Sequence, residues 1–377
     1  MPKQRDKGTG SIYQRADGLW RAAIELPPDH FGRRRRKVVS GKTKHAVILK
    51  LRTLHQQLDN FGHIPTGTAT LTQFLDQWLT IKKTQLKPRT YDDYVSVIEN
   101  HLKPKLGRYQ ITKITPQHIQ KFHTQILAQG LSPTTALKIH RILHTALKDA
   151  ERQEITTRNV AKLVDAPRKA ASPRKAASGN HARRIYAAAA PRHQFALLTG
   201  TRQGEKLGLT LSEIDFTKKT VRISWQLQRL KKNATIPPHF EARHITGQYY
   251  LLRPKSAAGY RIIPLLPALE KALRTEITTN PNPSGNGLIF HKNGSPISPE
   301  SDRKDWQKTV TAAEVPPMTL HAARHTTATL LHQLEVPDLV RKSILGHSSL
   351  AATEIYTHVS HGEITTAMQK LDNLLTR

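Results

Sequence analysis

Apolar positions along this chain keep three different rhythms, and the change from one to the next divides it. In residues 19–26, Trp20, Ala22, Ile24 and Leu26 alternate with Arg21, Ala23 and Glu25, the two-residue period of a strand with one face in a core. Asp17-Gly18 just ahead suits a tight hairpin turn. The run Arg33-Arg34-Arg35-Arg36-Lys37 leads into Val38-Val39-Ser40, after which Val47, Leu51, Leu54 and Leu58 recur every three or four residues. Residues 10–61 are therefore expected to form three short strands and a helix.

From residue 66 to 165 the period is helical throughout. Leu71, Phe74, Leu75, Trp78 and Leu79 form one apolar stripe; Tyr91, Tyr94, Val95, Ile98 and Leu102 form a second, with Thr90 expected to cap its helix. Thr115-Pro116 and Ser132-Pro133 each set a capping hydroxyl before a proline suited to the first helical position. The third helix carries Ile119, Phe122 and Ile126 and stops near Gly130; the fourth carries Ala136, His140, Leu143 and Leu147.

Between Pro167 and Ser178 the hexapeptide Pro-Arg-Lys-Ala-Ala-Ser occurs twice in tandem, a composition of small residues, proline and cations that cannot bury a core. It reads as a linker, continued by Gly179-Asn180. Beyond it helices mix with short strands at 220–225, 247–252 and 260–264. Ser256 to Gly259 is expected to turn between the last two, which places Lys255 at a hairpin. The basic stretch 226–246, with Pro237-Pro238, is an insertion between strands. Near the end, Ile364, Met368, Leu371 and Leu375 mark a helix that docks either on a neighbouring copy or on its own domain. The fold class is α+β and mainly helical, in segments 1–64, 65–165, a linker at 166–180, and a mixed segment 181–377.

Charge changes the picture. Against 28 Asp and Glu stand 59 Lys and Arg, a formal net charge of +31, far beyond what solubility needs, so the economical partner is a polyanion. No apolar run approaches the roughly 20 residues of a membrane-spanning helix, and Met1 to Lys7 lacks a signal-peptide core, so nucleic acid is favoured over a membrane and the expected location is cytoplasmic. The chain has no Cys, which removes disulfides, thiolate metal sites and a cysteine nucleophile. Twenty His residues show no metal-ligand spacing, so no metal and no cofactor is expected, and a metal-dependent nuclease is disfavoured.

The candidate chemistry sits in the second half. Arg202 and Glu205 lie in Leu198-Thr199-Gly200-Thr201-Arg202-Gln203-Gly204-Glu205, and Lys255 in Arg253-Pro254-Lys255-Ser256. His321-Ala322-Ala323-Arg324-His325 follows, then Leu345-Gly346-His347 and Tyr356-Thr357-His358. Arginine is always charged and its planar fork matches a phosphate, so Arg202 and Arg324 suit a phosphodiester clamp. His321, three residues before Arg324, projects from the same helical face. Each motif alone is weak. Their order and spacing together resemble the tyrosine recombinases, the phage integrase family.

That resemblance implies a site-specific recombinase in which Arg202, Lys255, His321, Arg324, His347 and Tyr356 form the catalytic set. Tyr356 would attack the phosphodiester and remain as a 3′-phosphotyrosine, Lys255 would protonate the leaving 5′ hydroxyl, and His321 is a candidate proton acceptor. Glu205 would orient Arg202, the alternative being a surface carboxylate. Thr201, Lys206, Leu211 and Ala323 depart from the family's usual residues without removing a reacting group. The resemblance further implies an N-terminal arm-site-binding domain at 1–64 with Arg33, Arg34, Arg35, Arg36 and Lys37 as DNA contacts, and a SAM-like core-binding domain at 65–165. It makes 181–377 the catalytic domain, and leaves Arg168, Lys169, Arg174 and Lys175 of the linker to lie along DNA or simply to space the domains. The implied partners are double-stranded DNA at core and arm attachment sites, three further copies in a homo-tetramer, and an accessory DNA-bending or excision factor. The implied process is integration or excision of a phage or mobile element. The rival readings are a type IB topoisomerase and a catalytically inactive DNA-binding regulator on the same scaffold.

Overall fold

The computed structural model describes residues 11–26, 33–61, 69–168, 176–254, 259–346 and 359–376. The chain divides into two compact units, 1–171 and 172–377.

The first unit opens with an antiparallel sheet of β1 (Ser11–Gln14), β2 (Trp20–Leu26) and β3 (Arg35–Gly41), with β2 central. Gly18 makes the β1–β2 turn at φ +78, a left-handed conformation that glycine adopts without steric cost. Ala22 and Ile24 are buried against Val47 and Leu51 of α1 (Lys44–Phe61), with Leu54 and Leu58 packed beside them. The basic run does not merely precede β3. Arg35, Arg36 and Lys37 belong to it, and Arg36 stands opposite Glu25, a favourable cross-strand pair that lets pairing start at Arg35.

The helical part of this unit begins with α2 (Leu71–Lys83), closed by a reciprocal capping box between Thr70 and Gln73. Next, α3 spans Pro88–Val97; it starts two residues before Thr90, with Lys87 at the N-cap, so Thr90 is not the cap. Proline at the first position presets φ and has no N–H to satisfy, which lets this helix begin without a capping hydroxyl. The helix continues through a π-turn at Ile98–Leu102 into α4 (Lys103–Leu106). The wide turn precedes Pro104, which cannot donate to the preceding turn, and Lys103 N–H reaches back to Ile98 O. α5 (Pro116–Ala128) and α6 (Pro133–Arg152) start at Thr115 and Ser132, each accepting a hydrogen bond from a backbone N–H three residues on. The apolar faces of these helices form one core around Trp78, whose indole N–H donates to Asp149 at 2.8 Å.

The second unit begins at a fixed point. Ala177 is buried in its core and donates its N–H to Thr326 Oγ1 at 3.0 Å, and α7 (Gly179–Ala188) follows behind a Ser178 cap. Then come α8 (Pro191–Thr199), a left-handed Gly200, and the short α9 (Gln203–Leu207). The strands are β4 (Ile214–Asp215), β5 (Thr220–Ile223), β6 (Gln226–Arg229), β7 (Ala242–Thr246), β8 (Tyr249–Leu252) and β9 (Arg261–Pro264). They form two sheets, ordered β4-β5-β9 and β6-β8-β7. This corrects the expected hairpin around Lys255: β9 pairs with β5 through Val221 and Ile263, whereas β8 pairs with β6 through Gln226 and Leu252. The chain between them links two sheets instead of closing one, and Lys255 itself lies outside the described residues. The insertion 226–246 supplies both neighbours of β8.

The remaining elements are α10 (Pro267–Thr279), the two-stranded β10 (His291–Lys292) and β11 (Ser295–Pro296), α11 (Pro299–Ala312), α12 (Leu320–Gln333), α13 (Asp338–Leu345) and α14 (His361–Thr376). Of the two dockings open to the C-terminal helix, the structure has the one on its own unit: Ala367, Met368, Leu371 and Leu375 of α14 are buried in the unit's single large core. Its Asp372 carboxylate accepts the N–H of Ala268 at the start of α10, where Leu266 at the N-cap offers no side-chain acceptor.

Candidate active site

α9 has five residues, too few to hold itself in place, so the positions of Arg202 and Glu205 depend on what grips them from outside. Glu205, only 4% exposed, is a buried hub and not a surface carboxylate. Its Oε1 accepts from Arg202 Nη1 at 2.6 Å; its Oε2 accepts from the Arg202 backbone N–H and from Arg261 Nη2, both at 3.0 Å. Burial alone would raise its pKa, but Arg261 and Arg202 outweigh that and hold the carboxyl below the ordinary 4.5.

Arg202 also donates from Nη2 to Gly346 O at 2.9 Å, and Arg261 donates from Nε to Ile344 O at 2.7 Å. The end of α13 is thus tied to α9 and β9. Arg324, on α12, is buried and donates Nη1 to Gly200 O at 2.7 Å. Its Nη2 is buried and has no hydrogen-bond partner among the described residues. Burial, reinforced by repulsion from Arg202 and Arg261, pushes its pKa down to about 9. Three guanidiniums are therefore gathered around one carboxylate.

Arg202 and Arg324 line one cavity together with His321, Gln203, Lys206 and Arg303. His321 is exposed on α12, and its ring lies edge-on to that of His325 at 4.8 Å. Of the six residues expected to react, the structure brings together Arg202, His321 and Arg324 with the supporting Glu205. Lys255, His347 and Tyr356 lie outside the described residues. Arg33, Arg34, Arg35, Arg36 and Arg168 are exposed and Lys37 is half-buried; Lys169, Arg174 and Lys175 also lie outside the described residues. Among the described residues no group of His, Asp and Glu has metal-binding geometry, and no helix is long and apolar enough to cross a membrane.

Two residues went unread in the sequence. Arg261 shares the inward face of β9 with buried Ile263, a register that the sequence hides because the neighbouring Ile262, equally apolar, is the one that faces out. The second is Asp302 of α11, wholly buried, which receives Lys206 Nζ at 2.8 Å on each of its oxygens. Burial opposes its ionisation, yet His193 and Lys206 hold its carboxyl well below the carboxylate range. Burial pushes Lys206 down to about 8 against the pull of Asp302, and pushes His193 down to about 4.

Fold and sequence matches together define a tyrosine site-specific recombinase. The model of the phage integrase family matches residues 153–363, and that of the phage integrase N-terminal SAM-like domain matches 70–127. The chain belongs to the phage integrase family. An integrase of Saccharopolyspora erythraea is 27% identical, with 93% of each chain covered. A XerC-like tyrosine recombinase of Caldanaerobacter subterraneus is 27% identical over 94% of this chain and 96% of its own. Among solved structures, the Tn1549 transposon integrase in complex with a circular intermediate DNA superposes with a TM-score of 0.62 at 20% identity, covering 81% of this chain and all of that one. A lambda integrase tetramer bound to a Holliday junction superposes with a TM-score of 0.53 at 18% identity, covering 90% and 95%.

Proposed function

We propose that this recombinase breaks and rejoins duplex DNA through Tyr356. The phenol oxygen attacks the scissile phosphorus, the bond to the 5′ oxygen breaks, and the 3′ end stays on the protein as a phosphotyrosine. The phenol proton passes to His321, and Lys255 supplies the proton that the departing 5′ hydroxyl needs. A 5′ hydroxyl from another strand then reverses the reaction, so no ligase or external energy source enters. An unperturbed phenol is about 0.1% ionised at neutral pH, which is why cations must sit beside it.

One observation carries this reading: Arg324 presents a buried guanidinium nitrogen with no partner among the described residues, in a cavity shared with Arg202 and His321. A non-bridging phosphate oxygen satisfies that donor, and the extra negative charge of the pentacoordinate state offsets the crowding of three guanidiniums around one carboxylate. Glu205 and Arg261 orient Arg202. His347, directly after Gly346, adds a further donor.

Charge and the relatives support a wider scheme. DNA is the partner, four copies act together on it as in the lambda integrase assembly, and an accessory bending or excision factor sets direction. Segment 1–64 binds arm sites through Arg33 to Lys37, segment 65–165 and segment 181–377 close on the crossover site, and 166–180 tethers them with Arg168, Lys169, Arg174 and Lys175 along the backbone. A nicked suicide substrate tests the central step. The wild type forms a covalent DNA adduct, and Tyr356→Phe binds the same DNA without one; an adduct that persists in Tyr356→Phe overturns the reading.

A further inference from the structure

Adjoining the candidate active site, and sharing Gln203 and Lys206 with the lining of its cavity, lies a second polar centre built on Asp302. Asp302 Oδ1 accepts from Lys206 Nζ at 2.8 Å, His193 Nε2 at 3.1 Å and Arg192 Nε at 3.3 Å. Its Oδ2 accepts from Lys206 Nζ at 2.8 Å and Gln203 Nε2 at 2.9 Å. Asp302, Lys206 and His193 are all fully buried. The donors come from two helices: Arg192 and His193 from α8, Gln203 and Lys206 from α9.

Those two helices flank the segment that builds the phosphate cavity. Between them run Gly200, whose carbonyl accepts Arg324 Nη1, and Arg202 itself. Gln203 and Lys206 are three apart, hence on one face of α9, while Arg202 and Glu205 occupy the adjoining face. A single carboxylate on α11 therefore holds both ends of the loop and, through α9, the angle at which Arg202 meets the cavity. Stability alone does not demand this arrangement, because an apolar pair of similar size in place of a buried ion pair is neutral or stabilising in many proteins.

We propose that Asp302, acting with Lys206, is a positioning residue for Arg202 and for the Gly200 carbonyl that fixes Arg324. The proposal rests on the reading of Arg202 and Arg324 as the phosphate clamp. Its signature is a loss of strand cleavage that exceeds any loss of DNA affinity, since Lys206 and Asp302 are wholly buried and the clamp residues remain.

The test replaces the pair with apolar residues of similar size, Lys206→Met with Asp302→Leu, in the full chain. Tm, the Kd for duplex DNA and the single-turnover rate of adduct formation on a nicked substrate are measured. Unchanged Kd with cleavage slowed about tenfold to a hundredfold, the scale of a small misplacement of a clamping group, supports the proposal. A folded double variant that cleaves at the wild-type rate overturns it. Gln203→Met removes the Oδ2 contact together with the amide's bonds to Pro299 O and Arg303 but leaves Lys206 on Asp302, and it covers the case in which the double variant does not fold. A severalfold slower cleavage at wild-type affinity supports the proposal, whereas unchanged cleavage, or parallel losses of affinity and cleavage, overturns it. Wild-type protein is the control for the underlying reading: if it forms no adduct, the reading of the site fails; if it does and the variants match it, only the positioning role fails.

Discussion

Arg261 Nη2 and Glu205 Oε2 stand 3.0 Å apart with both side chains about 4% exposed, an ion pair that joins β9 to α9. Because Glu205 is the one carboxylate among three guanidiniums, Glu205→Gln leaves buried positive charge without compensation. The expected loss is about 3–5 kcal/mol, the scale for breaking a buried pair from one side, measured by denaturant unfolding. The pH dependence follows from the lowered pKa: the contribution is complete above the ordinary glutamate value of 4.5 and is lost as pH falls through the lower folded value. Wild type and Glu205→Gln should therefore converge in stability on acidification.

Sulfate should act as a stand-in for the scissile phosphate. Occupying the cavity satisfies Arg324 Nη2 and relieves repulsion among Arg202, Arg261 and Arg324. At a hundred times its Kd a ligand specific to the folded state adds about 2.7 kcal/mol. Thermal unfolding in sulfate, against chloride at equal ionic strength, should show a higher Tm that is blunted in Arg202→Lys. Equal Tm in the two salts rules the cavity out as an anion site.

Gly200 is expected to tolerate no side chain. It sits at φ +60, and a Cβ there would lie 2.4 Å from Leu345 Cδ2. Gly200→Ala should lose more than about 1 kcal/mol from the backbone conformation alone. It should also lower cleavage by displacing both the acceptor of Arg324 and the end of α13. Pairing it with Leu345→Ala removes the clash but not the strain, so partial recovery of Tm is the outcome that checks both causes.

Asp372 makes the opposite prediction to Glu205. Its Oδ1 is buried without a partner among the described residues, and burial raises its pKa above the ordinary 3.8 although Ala268 N–H opposes the shift. A raised carboxyl supports folding fully below the ordinary value and loses that support as pH rises through the folded one. Asp372→Asn should accordingly raise Tm at neutral pH and leave it nearly unchanged in acid. A lower Tm at pH 7 would show that the carboxylate's hold on α10 outweighs its burial.

The helices were legible because their caps and stripes are local: Thr115 and Ser132 sit where the chain alone puts them. Thr90 misled because a proline two residues earlier also starts a helix and needs no hydroxyl. Strand partners were not legible, since β8 and β9 are neighbours in sequence yet pair with strands upstream in two sheets. Within the site, Arg202, His321 and Arg324 could be read from motif spacing. Arg261 and Asp302 could not, because what gives them meaning is burial beside residues 56 and 96 positions away.

Ala177 is fastened to Thr326 before α7 begins, so a change in the number of hexapeptide copies acts only upstream of a pinned end. Deleting the first copy, Pro167 to Ser172, shortens the connection by six residues, at most about 20 Å of contour, and keeps Ala177 and every other member of the two large cores. The number of hexapeptide copies thus sets the length of chain between the two units independently of the Ala177 anchor and of the cavity lined by Arg202 and Arg324.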